Sequence, residues 1–513
     1  IGTVPTINGL ELKQIPLKYK ATEAAFSIQI WLPENGNVTI DAEYDDNMYS
    51  EEFIKRLVKC YERILKGLLV NEKLEEIKLI SDEEEQALIT LGQGEKTEYD
   101  RSETFIDLFV RQAKLMPDNI AVSDESRELT YAELDRRSNA LANELITKRV
   151  RPGDFVCVMV DRTVNFPLAV IAVQKAGAAH VPIDPEFPIE RIEYIAEDSD
   201  SKILITDHAV YKKGLTISTE LFFIDEFKSR DCEAINMSTV HGSAYMNYTS
   251  GSSGMPKGAI IPHSALRCLI SNVISMVSLN QEDKLSGHPS FSFDAHIMDF
   301  YPALSVGASW HIVPENIRKD MHMLSEFISE RGITGGTFST PICTLLMENK
   351  ELSTMKYVIV GGEKLIGVWH PAVEIINGYG PTECTCVTVY YSIEPGKKLE
   401  EIPIGRSMGN VRSYVTDKYN RLVPQCVAGE LCHTGEQLGT GYWKRPELTS
   451  RAFVNNPYGE GKMYRTGDLV RWNKEGQLEY IGRIDNQVKL RGYRIELGEI
   501  ESKASAIEGI SQA

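Results

Sequence analysis

Apolar positions alternate with polar ones through residues 27–46, SIQIWLPENGNVTIDAEYDD, on both sides of Asn35 and Gly36. A period of two around an Asn-Gly pair predicts a β-hairpin, since both residues tolerate the positive φ of a tight turn. The period then lengthens. Phe53, Ile54, Leu57, Val58, Tyr61, Ile64 and Leu65 recur at helical spacing, which predicts an amphipathic helix. Ser50 followed by Glu51 and Glu52 marks its start. A short acidic helix is expected after Ser81, and the polar, glycine-containing stretch 91–101 predicts a linker.

From about residue 102 to 484 the rhythm is different. Helical periods at 105–115 and 131–148 alternate with short apolar runs at 155–160, 180–183, 202–206 and 355–362. Such alternation predicts an α/β architecture with mostly parallel sheets. Between about 410 and 482 the strands shorten and turns crowd in, which predicts a small barrel or antiparallel sheet. From Asp485 the stretch NQVKLRGYRIELGEIE predicts a hairpin followed by a helix. The expected divisions are therefore 1–90, a linker at 91–101, a core at 102–484 and a short segment at 485–513. The last is too small to bury a core of its own.

Composition narrows the classes. A chain of 513 residues exceeds what one hydrophobic core holds. Its 73 acidic against 55 basic residues give a net charge of −18. That excludes binding nucleic acid through general electrostatics, while leaving room for a local basic site around a nucleotide. The longest apolar run, 166–173, is far short of a membrane span, and the opening residues lack the features of a secretory signal. Nine cysteines without framework or metal-ligand spacing, Cys384 and Cys386 being the one close pair, predict free thiols in a reducing cytoplasm.

Candidate chemistry begins at residues 248–258, YTSGSSGMPKG. The hydroxyls of Thr249, Ser250, Ser252 and Ser253, the backbone freed by Gly251 and Gly254, and the charge of Lys257 all suit a phosphate. A Walker loop is excluded by spacing, because Pro256 precedes the lysine and Gly258 follows it where a Ser or Thr is required. By composition alone the same stretch suits a flexible serine/glycine linker equally well. Its co-linear companions are LTYAEL (129–134), QKAGAAHVPIDP (174–185), NGYGPTE (377–383), YRTGDL (464–469) and GRIDNQVKLRGYRIELGEIE (482–501). In this order the motifs make residues 102–513 resemble the adenylation domains of nonribosomal peptide synthetases, within the acyl-adenylate-forming, AMP-binding family. Residues 1–90 resemble the end of a condensation domain, without the His-His-x3-Asp-Gly motif of its catalytic part.

The resemblance implies an α/β fold. Its large multi-layer core would hold two α/β sheets and a small distorted β-barrel, followed by the start of a smaller α+β C-terminal subdomain and preceded by an α/β leader. It implies a ligase that uses ATP and Mg²⁺ to join an α-amino acid to AMP, releasing pyrophosphate. The aminoacyl group would then pass to the phosphopantetheine thiol of a peptidyl carrier domain. Thr249 and Lys257, with Ser250, Gly251, Ser252, Ser253 and Gly254, would shield the β- and γ-phosphates. Thr382 would meet the α-phosphate and Glu383 the Mg²⁺ ion. Gly362, Glu363, Asn377, Gly378, Tyr379 and Gly380 would surround the adenine side, and Asp468, Tyr480 and Arg483 the ribose.

Asp294 falls where the family meets the substrate ammonium, and a desolvated ammonium needs such a charged partner. Ala295, Met298, Thr337, Ile359, Gly361, Gly378, Cys386 and Val387 would complete the amino-acid pocket. None is charged, so a large hydrophobic or aromatic, phenylalanine-like substrate is expected. Asp485 falls at the family's hinge. Two departures stand out: no Asn-Gly-Lys motif bearing the family's catalytic lysine follows Arg483, and Gly439 and Thr440 replace the usual Ala-Arg pair. The alternatives are an acyl- or aryl-CoA ligase of the same superfamily, which Asp294 opposes, and a non-catalytic recognition or docking fragment.

Overall fold

A computed structural model describes residues 25–31, 39–70, 73, 76–251, 255–349, 352–485, 487–490, 493–496, 500, 501, 504 and 510. The turn at Asn35 and Gly36, the loop residues Ser252, Ser253 and Gly254, and most of the helix expected after the last hairpin lie outside the described residues.

The chain forms two compact units, 1–87 with 418–424, and 88–417 with 425–513. In the first, strands Phe26–Trp31 and Thr39–Tyr44 pair antiparallel from Phe26 opposite Tyr44 to Trp31 opposite Thr39, as the alternation predicts. The helix Glu51–Val70 follows. Its start is capped by Ser50, whose hydroxyl accepts from the Phe53 amide at 3.2 Å. The Tyr49 ring packs between Phe26 and Phe53, at 6.0 and 5.7 Å. Arg63 reaches Glu84 at 2.7 Å and the Leu79 carbonyl at 3.1 Å, which holds the helix to the chain that follows it.

The second unit is layered. Its seven-stranded sheet runs Gly441–Tyr442, Lys257–Pro262, Ser243–Thr249, Ala179–Pro182, Phe155–Met159, Ile203–Thr206, Glu220–Phe223. The strands from 179 through 223 pair parallel, and 257–262 pairs antiparallel with both of its neighbours. A nine-stranded sheet carries strands Tyr357–Gly361 and Glu374–Tyr379 near one end and Ile120–Ser123 and Glu128–Thr130 at the other. One apolar core joins these layers, with Phe105, Phe166, Phe300 and Trp310 at or below 1% exposure. The helix Asn165–Lys175 is buried along its whole length, which accounts for its unbroken apolar sequence. Residues 411–483 supply a five-stranded antiparallel sheet. Residues 92–95 lie along its edge, where the Gly94 amide donates to the Val411 carbonyl at 2.8 Å. None of the nine cysteines is paired, and among the described residues no helix is long and apolar enough to cross a membrane.

One charge sits deep in this core. Lys175 closes the apolar helix with a fully buried side chain. Its ammonium donates to Asp135 Oδ1 at 2.6 Å, Asn139 Oδ1 at 2.7 Å and Ser138 Oγ at 2.8 Å, all on the helix Tyr131–Thr147. Burial lowers its pKa, and the Asp135 carboxylate opposes that shift. Removing one partner of a buried pair costs more than the pair contributes, because the other charge is stranded. Asp135→Ala should therefore destabilise the second unit by about 3 kcal/mol in urea unfolding. The double variant Asp135→Ala, Lys175→Met should recover most of that loss.

Candidate functional site

A cleft of about 1880 Å³ opens in the second unit, walled by the ends of several strands. Ser339, Gly361 and Tyr379 end three neighbouring parallel strands, and Thr249 ends a strand of the other sheet. The carboxyl ends of parallel strands are where such sheets bind ligands. Strand register places Thr337 beside Ile359. A side chain at Gly361 would press its Cβ to 2.6 Å from the Gly378 carbonyl, so the wall is smooth there because it must be.

Asp294 opens a short 3₁₀ turn, Asp294–His296, that runs into the helix Ile297–Val306. Positions 294, 295 and 298 consequently face the cleft together. The loop before them is held from beneath by Arg162. Its buried guanidinium donates to the carbonyls of Gly287, Pro289 and Val313 and lies 4.4 Å from the Phe291 ring. Burial brings the Arg162 pKa down to about 9, still positive at neutral pH.

Opposite stands the turn 380–387. Pro381 leads into the 3₁₀ turn Thr382–Cys384, then Thr385 and Cys386 both take left-handed conformations, φ 60° and 71°. Such angles cost a β-branched residue most. They are held by the Thr385 hydroxyl, which donates to the Gln437 carbonyl at 2.7 Å. Gly380 closes the turn, since a Cβ there would lie 2.2 Å from the Cys386 carbonyl. The reversal brings Thr382, Cys386 and Val387 to the cleft wall while Glu383 is buried at 1% exposure.

Two polar groupings result. At one end, the Thr382 hydroxyl donates to Asp294 Oδ2 at 2.5 Å. At the other, the Tyr379 hydroxyl donates to Asp468, and Arg483 Nη1 donates to Asp468 Oδ1 at 3.0 Å. Arg483 also pairs with Asp485 at 2.5 Å, and the Tyr480 ring stands 6.3 Å from Tyr379. Burial, reinforced by Asp468, raises the Tyr379 phenol well above its ordinary value and pushes Tyr480 up to about 12. Both are neutral donors at physiological pH. The Asn377 side-chain amide donates to the Pro403 carbonyl at 2.8 Å, which fixes its orientation on the wall. Between the groupings the surface is apolar: Met298, Ile359, Cys386 and Val387, with the Cys386 thiol kept protonated by burial.

Thr249, Ser250, Gly362, Glu363, Asn377, Gly378, Tyr379, Gly380, Thr382, Asp468, Tyr480, Arg483 and Asp485 thus share one cleft with Asp294, Ala295, Met298, Thr337, Ile359, Gly361, Cys386 and Val387. Gly251, Lys257 and Glu383 stand off its wall. Lys257 begins the strand opposite Thr249, so the serine/glycine stretch is the connection of an antiparallel hairpin. The Thr249 hydroxyl oxygen is buried without a hydrogen-bond partner among the described residues.

Asp299 was not foreseen. It is fully buried one turn beyond Asp294, accepting from the Thr337 amide at 3.0 Å and the Thr337 hydroxyl at 2.8 Å. Thr337 is thereby held with its hydroxyl engaged behind the wall. Burial pushes the Asp299 carboxyl up to about 8. A lone acid within the apolar helix IMDFYPALSV was the available signal.

The profile of the AMP-binding enzyme family matches residues 109–443. Bacitracin synthase 1 of Bacillus licheniformis is 36% identical over 98% of this chain and 10% of its own length. Tyrocidine synthase 2 of Brevibacillus parabrevis is 33% identical over 96% of this chain and 14% of its own length. The chain therefore spans a small fraction of these relatives. Among solved structures, holo-AB3403, a four-domain nonribosomal peptide synthetase bound to AMP and glycine, matches with a TM-score of 0.78 and 28% identity. That match covers 97% of this chain and 38% of the other.

The buried Asp299 makes stability depend on pH in a defined direction. Its carboxyl holds a proton to about pH 8 when folded but only to about 3.9 when unfolded. Its contribution is complete below about pH 4 and is lost as pH rises toward 8. Asp299→Asn should remove a slope of about 1 kcal/mol per pH unit between pH 5 and 8, measured as the difference from the parent chain in denaturant titrations.

Proposed function

The chain belongs to the AMP-binding enzyme family, and we propose that it activates an α-amino acid by joining its carboxylate to the α-phosphate of ATP, with release of pyrophosphate. The observation that carries this reading is the contact between Asp294 and Thr382 at 2.5 Å, in the same cleft as the Tyr379, Asp468 and Arg483 grouping. Asp294 offers a carboxylate for the ammonium of an amino acid. Thr382 stands next to it, and its one hydroxyl proton, given to Asp294 in this structure, would turn to the α-phosphate once the ammonium takes up Asp294. The carboxylate to be activated and the phosphorus it attacks would then meet beside one residue pair. Proximity of this kind is the main catalytic resource when two anions must react.

Each remaining group has a share. Tyr379 lends its ring to adenine, with Asn377, Gly378, Gly380, Gly362 and Glu363 around it, and Asp468 accepts from the ribose hydroxyls beside Tyr480 and Arg483. Thr249, Ser250, Gly251 and Lys257, with Ser252, Ser253 and Gly254 between them, cover the leaving pyrophosphate. The buried, unpartnered Thr249 hydroxyl among the described residues fits a phosphate oxygen. Glu383, buried just behind the cleft wall, would hold a magnesium ion there together with phosphate oxygens. Among the described residues no cluster of three or more ligating side chains could hold the ion without them. When bound, the ion supplies neutralisation of the phosphate charge.

The uncharged wall formed by Met298, Ile359, Gly361, Cys386 and Val387 favours a large hydrophobic or aromatic side chain, phenylalanine-like first. On this reading residues 102–484 are the adenylating core, Asp485 is the hinge and residues 1–90 are the end of a condensation domain. The product would pass to a phosphopantetheinyl carrier domain of the same synthetase in the cytoplasm.

ATP–pyrophosphate exchange across a panel of acids tests the proposal. Phenylalanine-like amino acids should give the highest exchange, and fatty or aryl acids none. Lys257→Ala should lower exchange by about a hundredfold, and Thr249→Ala by a smaller factor, without changing the ranking of amino acids. Exchange driven by fatty or aryl acids alone would replace this reading with that of a CoA ligase. A changed ranking would mean that the hairpin serves the other substrate.

A further inference from the structure

Gly439 and Thr440, the departure from the family pattern, introduce a short edge strand, Gly441–Tyr442, that joins two parts of the site. The strand pairs antiparallel with Lys257–Pro262, Tyr442 opposite Ala259. Lys257 is two residues from Ala259 on the same strand, so it shares a face with Tyr442. Its ammonium lies 4.2 Å from the centre of the Tyr442 ring. The Tyr442 hydroxyl donates to Glu383 Oε1 at 2.6 Å and stands 3.4 Å from the Tyr464 hydroxyl. The ring is 6% exposed, packed in a small core with Ala259, Cys384, Phe453 and Tyr464.

The backbone before it is pinned to the same two motifs. The Gly439 amide donates to the Glu383 carbonyl at 2.8 Å, and the Thr440 amide to the Ile260 carbonyl at 3.0 Å. A Cβ at Gly439 would lie 2.9 Å from both carbonyl oxygens, so glycine lets this segment fit closely between them.

We propose that Tyr442 is a positioning residue that sets Lys257 and Glu383 for the triphosphate and its metal ion. This rests on the adenylation reading above. Tyr442 meets the Lys257 ammonium on its ring face and the Glu383 carboxylate with its hydroxyl, so one side chain fixes the place of both charges. The hydroxyl donates to one carboxylate oxygen and so orients the other, the usual work of a group behind a metal ligand. Lys257 gains a cation–π contact that limits its wandering.

Tyr442→Phe retains the ring and removes the hydroxyl, whereas Tyr442→Leu removes both contacts. The binding of a non-hydrolysable ATP analogue, followed calorimetrically with Mg²⁺ and with EDTA, separates the two roles. Tyr442→Phe should raise the Mg²⁺ concentration for half-maximal binding by about tenfold, with metal-free binding weakened far less. Tyr442→Leu should weaken metal-free binding as well. A Tyr442→Phe variant with the parent's Mg²⁺ dependence would overturn the inference while leaving adenylation intact. Equal weakening with and without Mg²⁺, accompanied by a lowered Tm, would also overturn it, since packing alone would explain the result. A parent chain that fails to bind the analogue would overturn the adenylation reading and this inference with it.

Discussion

The site depends on one sharp reversal of the backbone between Gly380 and Val387. Gly380 brings the chain against the Cys386 carbonyl, and Thr385 and Cys386 accept left-handed angles that other residues of their kind avoid. That strain, of order 1–3 kcal/mol per residue, persists only because the Gln437 carbonyl and the surrounding strands over-determine the turn. What it secures is a division of labour between adjacent residues. Thr382 reaches Asp294 across the cleft, Glu383 turns back to Tyr442, and Cys386 and Val387 return to the wall. A relaxed turn would release all of these at once.

Around that turn the charges are managed by two different means. Lys175 and Arg162 stand outside the cleft wall, and each is surrounded by acceptors, so that the one ties two helices together and the other holds the loop that leads to Asp294. The charges of the site are instead kept in small alternating sets: Asp294 with Thr382, Asp468 with Tyr379 and Arg483, and Glu383 with Tyr442 and through its ring Lys257. Neutral hydroxyls mediate most of these contacts. A hydroxyl stabilises a carboxylate without cancelling its charge, which leaves the carboxylate able to answer an incoming cation.

Much of this was legible in the sequence, for physical reasons that differ by feature. The helix Phe105–Leu115 and the strands near 155, 203 and 357 coincide with their apolar periods, because burial dictates those periods directly. The co-linear motifs brought together residues that lie in one cleft, although Asp294 and Thr382 are 88 positions apart. Contacts made across the sheet were not legible. Nothing local in Asp299 says that it will hold Thr337, and nothing in Gly-Tyr-Trp says that the tyrosine will receive both Lys257 and Glu383. Such partners are set by strand order and register, which a single sequence carries only weakly.

Adenylation requires the cleft to deliver a carboxylate oxygen to the α-phosphorus of ATP. An amino acid labelled with ¹⁸O in its carboxylate, incubated with the protein, ATP and Mg²⁺ and then discharged by hydroxylamine, tests it most directly by mass spectrometry of the nucleotide and phosphate products. One ¹⁸O atom is expected in AMP and none in pyrophosphate. Labelled orthophosphate together with ADP would show transfer at the γ-phosphorus and contradict adenylation.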